Sequence, residues 1–390
     1  MSNTGKAIVG LIILVLLVIG LAYLGKASQS SAPTTTETPT PVVETGPIKV
    51  GVITPLTGDA AALGEFVKNV TDLAVEEVNT NNVINGRTFE LVYEDGKCNG
   101  TGGANAMQKL VNADGVKIVI ASDCSGAVLA GLPIAEQAKV FVFSGTATSP
   151  DLTNKSLFFA RTVASDNGQG RVLAEAAIAH GWKKVAVLQE SSDYALGIYR
   201  AFEANYPATA GTITKEEYPG TTTDFRSTLT KLRAANADAL FIDPQSPGTA
   251  ERILKQLADL KWSVPLLAND IVSGNADLIT NHKTRLEGAL VAEQGTASLP
   301  KSQKLDADYL KKYGKEMIYR NYAQAQYDLV YILAEGINKN GTDAGKIATW
   351  VRTVKDWPGA SGLVTIGADG DRVGGHVLKV IKNGKAELAS

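Results

Sequence analysis

The chain has 390 residues, 44% hydrophobic and 20% charged, enough to bury a large core and more than one compact core usually holds. A formal net charge of -2 leaves no basic footprint for nucleic acid and argues against that class of partner. Two lobes are therefore expected.

Ala7 to Gly25 carries no charge, is dense in Ile, Leu and Val, and is flanked by Lys6 and Lys26. This suits a membrane-spanning helix of about 20 residues. The apolar region of a signal peptide rarely exceeds about 15 residues, so residues 1–27 read as a retained anchor, with cleavage near Gly25-Lys26-Ala27 as the alternative. Residues 28–47 turn abruptly to Ser, Thr and Pro and read as a disordered linker. The short N-terminus holds Lys6 and no acid, which places residues 48–390 outside the membrane: at the cell surface if anchored, secreted if cleaved. Export would expose four N-x-Ser/Thr acceptors for glycosylation, at Asn69, Asn99, Asn154 and Asn340.

From Ile48 the spacing predicts strand 48–54 and a helix over 64–79, with Phe66, Val70, Leu73, Ala74 and Val78 on one face. Strand 89–94, helix 104–111, strand 117–121, helix 126–137 and strand 140–143 follow. Strands this apolar belong in a parallel sheet covered on both faces. The alternation restarts with helix 168–180, strand 184–189, helix 194–205, strand 211–218, helix 225–236, strand 239–242, helix 248–260 and strand 265–268. The last third predicts a strand near 290–293, helices around Tyr309, over 322–340 and over 346–354, and closing strands ending at 376–382. It lacks a βα series of its own and is expected to complete the two lobes: 48–163 with 295–360, and 164–294 with 361–390.

In open α/β sheets ligands sit beyond the carboxyl ends of the strands. Four segments lie there: Pro55 to Gly58, Cys124-Ser125-Gly126, Ser144 to Asp151, and Asn269-Asp270. Cys98 and Cys124, the two cysteines of the chain, each follow a predicted strand and suggest a disulfide bracing the second of these loops. Ser125 is placed at a helix N-cap, a natural seat for a carboxylate; a plain cap is the alternative. The adjoining Asp123 would repel an anion there, so its side chain is expected to face away. Asp270 reads equally as a turn or cap residue and as a partner for an ammonium. Tyr194 opens a helix where its ring could cover an aliphatic ligand. The sequence contains no nucleophile elbow, phosphate loop, zinc helix or dinucleotide fingerprint, and His180, His282 and His376 stand far apart, so no metal, cofactor or catalytic set is implied.

The body from Ile48 to Lys382 resembles the extracytoplasmic binding proteins of ABC importers for branched-chain amino acids and related amides. The resemblance rests on motifs in family order: Ile48 to Gly58, Tyr93-Glu94-Asp95 with Cys98, Cys124-Ser125, Ser149 to Thr153, Phe159 to Thr162, Asp193 to Gly197, Asp224-Phe225 with Leu229, and Gly274-Asn275-Ala276. It implies two Rossmann-like lobes joined by three hinge crossings, closing on a ligand. Carried over residue by residue, Ser125 and Thr148 would bind the ligand carboxylate. The backbone around Thr146 and Ala147 and the Thr148 hydroxyl would take the ammonium. Tyr194 would close from the second lobe, and Asp270 would be the acidic ammonium partner, after a one-residue shift in alignment. Leu63, and either Gln245 or Ser246, stand where family members often stack aromatic rings, which implies a less aromatic pocket. The implied function is capture of an amino acid, or an amide, for an ABC permease, with no enzymatic activity. A sensory receptor of the same fold is the alternative, and an exported α/β enzyme a more distant one.

Overall fold

The computed structural model describes residues 46–389, so the expected membrane anchor at 1–27 and the linker at 28–47, apart from Gly46 and Pro47, lie outside the described residues. Among the described residues no helix is long and apolar enough to cross a membrane.

The first sheet follows the predicted alternation through β1 (Ile48–Thr54), α1 (Ala61–Thr80), β2 (Phe89–Asp95), α2 (Gly100–Asn112), β3 (Ile118–Ala121), α3 (Ser125–Gln137) and β4 (Phe141–Ser144), and adds a short strand that the spacing does not predict, β5 (Phe159–Arg161). Its strands pair in parallel in the order β2-β1-β3-β4-β5. Successive residues of a strand point to opposite faces. Ile118, Ile120, Phe141 and Phe143 accordingly pack on one side with Phe66 and Val70 of α1, while Val119, Ala121 and Val142 pack on the other with Met107, Leu110 and Val128 of α2 and α3. Two-sided burial explains why these strands read as continuous apolar runs.

The second sheet is reached through α4 (Asn167–Ala179) and built from β6 (Lys184–Glu190), α5 (Asp193–Asn205), β7 (Thr212–Tyr218), α6 (Arg226–Ala234), β8 (Ala239–Asp243), α7 (Pro247–Asp259) and β9 (Leu266–Ala268). Three short helices, α8 (Asp270–Ser273), α9 (Ala276–Asn281) and α10 (Lys283–Leu286), then lead to β10 (Leu290–Gln294). α11 (Pro300–Tyr313), α12 (Arg320–Asn340) and α13 (Ala344–Val351) return to the first lobe, where Gln326 of α12 donates to the Thr71 hydroxyl of α1 at 2.9 Å.

The hairpin β11 (Trp357–Gly359) and β12 (Gly362–Val364) follows, and β13 (His376–Lys382) and β14 (Lys385–Leu388) join the second sheet in antiparallel fashion, giving the order β14-β13-β10-β9-β8-β6-β7. The assignment of residues 361–390 to the second lobe needs correction. Residues 361–372 stay with the first: β12 pairs with β11, Arg372 donates to the Thr162 carbonyl, and Asp371 pairs with the buried Arg161 of β5. A guanidinium at the end of a core strand needs a buried counter-charge, and Asp371 supplies it. The last crossing therefore falls at 373–375.

Candidate functional site

The lobe-1 wall of the cleft is made where β1, β3 and β4 end. Cys124 is the N-cap of α3 and Ser125 its first helical residue, so the helix starts one residue earlier than expected and Ser125 is not the cap. The Ser125 hydroxyl accepts from the backbone N–H of Ser149 at 3.1 Å, tying two strand ends together. Cys98 and Cys124 are disulfide-bonded, with Cα atoms 4.8 Å apart. Lys97 and Cys98 both take left-handed backbone (φ 54° and 53°), an uncommon conformation for side chains of this size. The bond, together with Asp95 accepting from the Lys97 and Leu56 amides, holds that turn.

Asp123, expected to face away from the anion seat, is among the residues that line the cavity. Its Oδ2 lies against Gly96, where an added Cβ would come within 2.1 Å. Burial, with the nearby Asp95 charge adding to it, pushes its pKa up to about 7, so near neutrality much of the charge that would oppose an anion is removed by protonation.

The loop after β4 is positioned from below. Gly145 packs on Gln326 so closely that a Cβ would sit 2.1 Å from Oε1, and its N–H donates to the Ser122 hydroxyl, which itself donates to Gln326. Arg161, fully buried, donates through Nη1 to the Ala147 and Ser149 carbonyls at 3.0 and 2.9 Å and makes a two-bond pair with Asp371. The Thr146 hydroxyl bonds the Asp123 carbonyl at 3.2 Å. Ala147 and Thr148 are fully buried and lie outside the cavity lining: the Ala147 carbonyl is occupied by Arg161, and the Thr148 hydroxyl lies beside Asp166 and Tyr322.

On lobe 2, Asn269 caps α8 by accepting from Ile271 N, which leaves the Asp270 side chain free for another use. Asp270 accepts from the Tyr194 hydroxyl through Oδ1 and from the Tyr322 hydroxyl through Oδ2, each at 2.5 Å. Its amide donates to Gln169, and Gln169 donates in turn to Asp166 at 3.1 Å. Burial raises the Asp270 pKa to about 6, although both tyrosine bonds act to lower it.

The two walls enclose a cavity of about 50 Å³. Ser125, Thr146, Cys124 and Leu63 line it from lobe 1, and Tyr194 and Gln245 from lobe 2. Asp270 sits immediately behind the tyrosine hydroxyls. Phe66, Val67, Ile271 and Tyr322 also line the cavity and were not singled out from the sequence. The cleft is closed by direct contacts: Gln245 Nε2 donates to the Cys98 carbonyl and Sγ, Arg252 pairs with Asp59 at 2.7 Å, and Arg200 pairs with Asp151 at 2.6 Å. One end of the cavity thus presents a hydroxyl and the first turn of a helix, suited to a carboxylate, and the other presents an anionic carboxylate behind two hydroxyls.

A leucine-binding protein of Thermotoga maritima superposes with a TM-score of 0.80 at 29% identity, covering 88% of this chain and 98% of that one. The branched-chain amino acid transporter substrate-binding protein of Streptococcus pneumoniae, solved in complex with isoleucine, has a TM-score of 0.78 at 26% identity, covering 88% and 98%. The Leu/Ile/Val-binding protein BraC3 of Rhizobium johnstonii is 29% identical over 331 residues, spanning 83% of this chain and 88% of its own. Residues 47–382 match the family described as Periplasmic binding protein. With two lobes built on largely parallel sheets around a small cavity, and a family match over most of its length, the chain belongs to the periplasmic binding protein family.

Proposed function

We propose that this chain is the extracytoplasmic receptor of an ABC importer that captures an α-amino acid, branched-chain or related, or a small amide, and delivers it to the permease. The observation that carries this reading is the bipolar cavity. Ser125 at the start of α3 faces it from lobe 1, and the Tyr194–Asp270–Tyr322 cluster closes its far side, so a zwitterion would be held by opposite charges on opposite lobes. Relatives named for binding leucine, isoleucine and valine support the ligand class. Leu63, Phe66 and Val67 offer an apolar wall for an aliphatic side chain. Tethering by residues 1–27, with 28–47 as a stalk, belongs to the same reading and would hold the receptor beside its permease.

Thermal-shift titration of the purified chain against L-amino acids and small amides tests it. A ligand that binds only the folded state stabilises it by about 2.7 kcal/mol at 100 times its Kd. At least one L-amino acid should raise the melting temperature, while its decarboxylated amine and its D-enantiomer should not. A flat response across the panel overturns the assignment.

A further inference from the structure

Beyond the ligand cavity the cleft widens into a vestibule of about 400 Å³, and the Gln245 side chain is the wall between the two spaces, since it lines both. Its amide is held on lobe 1 by Cys98, and its backbone N–H donates to Glu190 Oε2 at 2.9 Å. Glu190, at the end of β6, is only 5% exposed. Oε2 is shared by Gln245 and, at 3.5 Å, the Tyr218 hydroxyl. Among the described residues no hydrogen bond reaches Oε1, which lies at the vestibule wall beside Gly220, where an added Cβ would come within 2.7 Å of it. Burial holds the carboxyl above its ordinary pKa, with the Gln245 amide and Tyr218 hydroxyl acting against that rise.

The other charged residues of the vestibule are Asp59, Lys97 and Asp193. Asp59 is occupied by Arg252, and the Asp193 carboxylate lies over the first turn of α3, its Oδ2 2.6 Å from where a Cβ on Gly126 would stand. A buried carboxylate with one unused oxygen gains most from a charged donor. An aliphatic stem can run along an apolar wall while its cationic head stays in a polar space. Leu63 and Phe66 supply that wall in the inner cavity, and Glu190 waits one residue beyond it.

We propose that the vestibule is an outer subsite for a cation, and that the receptor takes an α-amino acid whose side chain ends in an ammonium or guanidinium. The stem lies along Leu63 and Phe66, the Gln245 amide swings off Cys98, and the charge reaches Glu190 Oε1. This deepens the amino-acid reading above and rests on it.

The test is calorimetry on the full chain with L-lysine and L-norleucine, which has the lysine side chain without its ammonium. Wild-type protein should bind lysine at least tenfold more tightly. Glu190→Gln keeps an acceptor for Gln245 and should weaken lysine about tenfold while leaving norleucine within about twofold; Asp193→Asn, at the vestibule rim, should act in the same direction and less. Norleucine binding as tightly as lysine, or Glu190→Gln weakening both equally, overturns the subsite. Leucine binding with lysine excluded also overturns it and leaves the amino-acid reading standing. If no amino acid binds, that parent reading falls and takes this one with it.

Discussion

Replacing Asp270 by Asn separates what this residue does for binding from what it costs the fold. Asn has the same shape and keeps both tyrosine contacts, accepting from one hydroxyl and donating to the other, so only the charge is removed. For an amino-acid ligand, the buried ammonium would lose its counter-charge. Hydrogen bonds to charged groups are worth about 1.5–3 kcal/mol and an unpaired buried charge costs about 3–5, so affinity should fall about 100- to 1000-fold. Without ligand the sign reverses. The folded pKa of Asp270 lies near 6, above its ordinary 3.8, so the stability it contributes is complete below 3.8 and lost as pH rises through about 6. At neutral pH the charged Asp270 is therefore a net burden of order 1–3 kcal/mol, and the Asn variant should melt higher than wild type when both are empty. Wild-type affinity should likewise fall as pH drops below about 6, where Asp270 takes up a proton. Calorimetric titration and scanning calorimetry between about pH 5 and 8 read all three effects. An Asn variant that binds within about threefold of wild type, or one that melts lower when empty, refutes the reasoning.

The disulfide closes a loop of 26 residues, worth about 3–4 kcal/mol in the chain-entropy model. Because it fixes the residue before Ser125 and carries the Gln245 contact, reduction should weaken ligand binding before the fold is lost; coincident loss by calorimetry and circular dichroism would contradict this. Arg161→Met leaves Asp371 buried without its partner and releases the Ala147 and Ser149 carbonyls, so unfolding stability in urea should drop by about 3–5 kcal/mol. Arg161→Met with Asp371→Asn should cost less than the two single changes added together. A loss under about 1 kcal/mol for the single variant would show the pair to be dispensable.

The βα series was legible because two-sided burial makes parallel strands uniformly apolar, and because Phe66, Val70 and Ala74 recur at helical spacing on α1. Strand ends were legible for the same reason, and most candidate residues were found there. What local pattern could not show is which distant element completes the wall. Tyr322 lies nearly 200 residues from Ser125 in the chain, at the start of a helix whose core spacing looks ordinary, and only its hydroxyl on Asp270 reveals its place. Arg161 reads as a charge interrupting an apolar run, yet β5 is only three residues long and its arginine is a brace from beneath, with a partner 210 positions away. The two readings of Asp270 have a local discriminator: Asn269 is itself a good cap, so the acid after it is spared that duty.

The closed cleft raises the question of what keeps it shut. Arg252–Asp59 is a partly exposed pair and Arg200–Asp151 an exposed one, and pairs of this kind contribute about 0–1 kcal/mol each and weaken with salt. The Gln245 contact to Cys98 adds a neutral hydrogen bond of similar size. These contacts are individually weak, and the Tyr322 hydroxyl of α12, on lobe 1, adds a buried hydrogen bond to the Asp270 carboxylate of lobe 2 at 2.5 Å. A ligand shifts the balance of open and closed states only by the difference between its affinities for the two. If Ser125 takes the carboxylate and Asp270 the ammonium, as proposed, that difference arises only when a single molecule reaches both. A carboxylic acid without an amine, or an amine without a carboxylate, would touch one lobe and leave the equilibrium where it was. Selectivity for the complete amino-acid headgroup and closure of the cleft are then the same event.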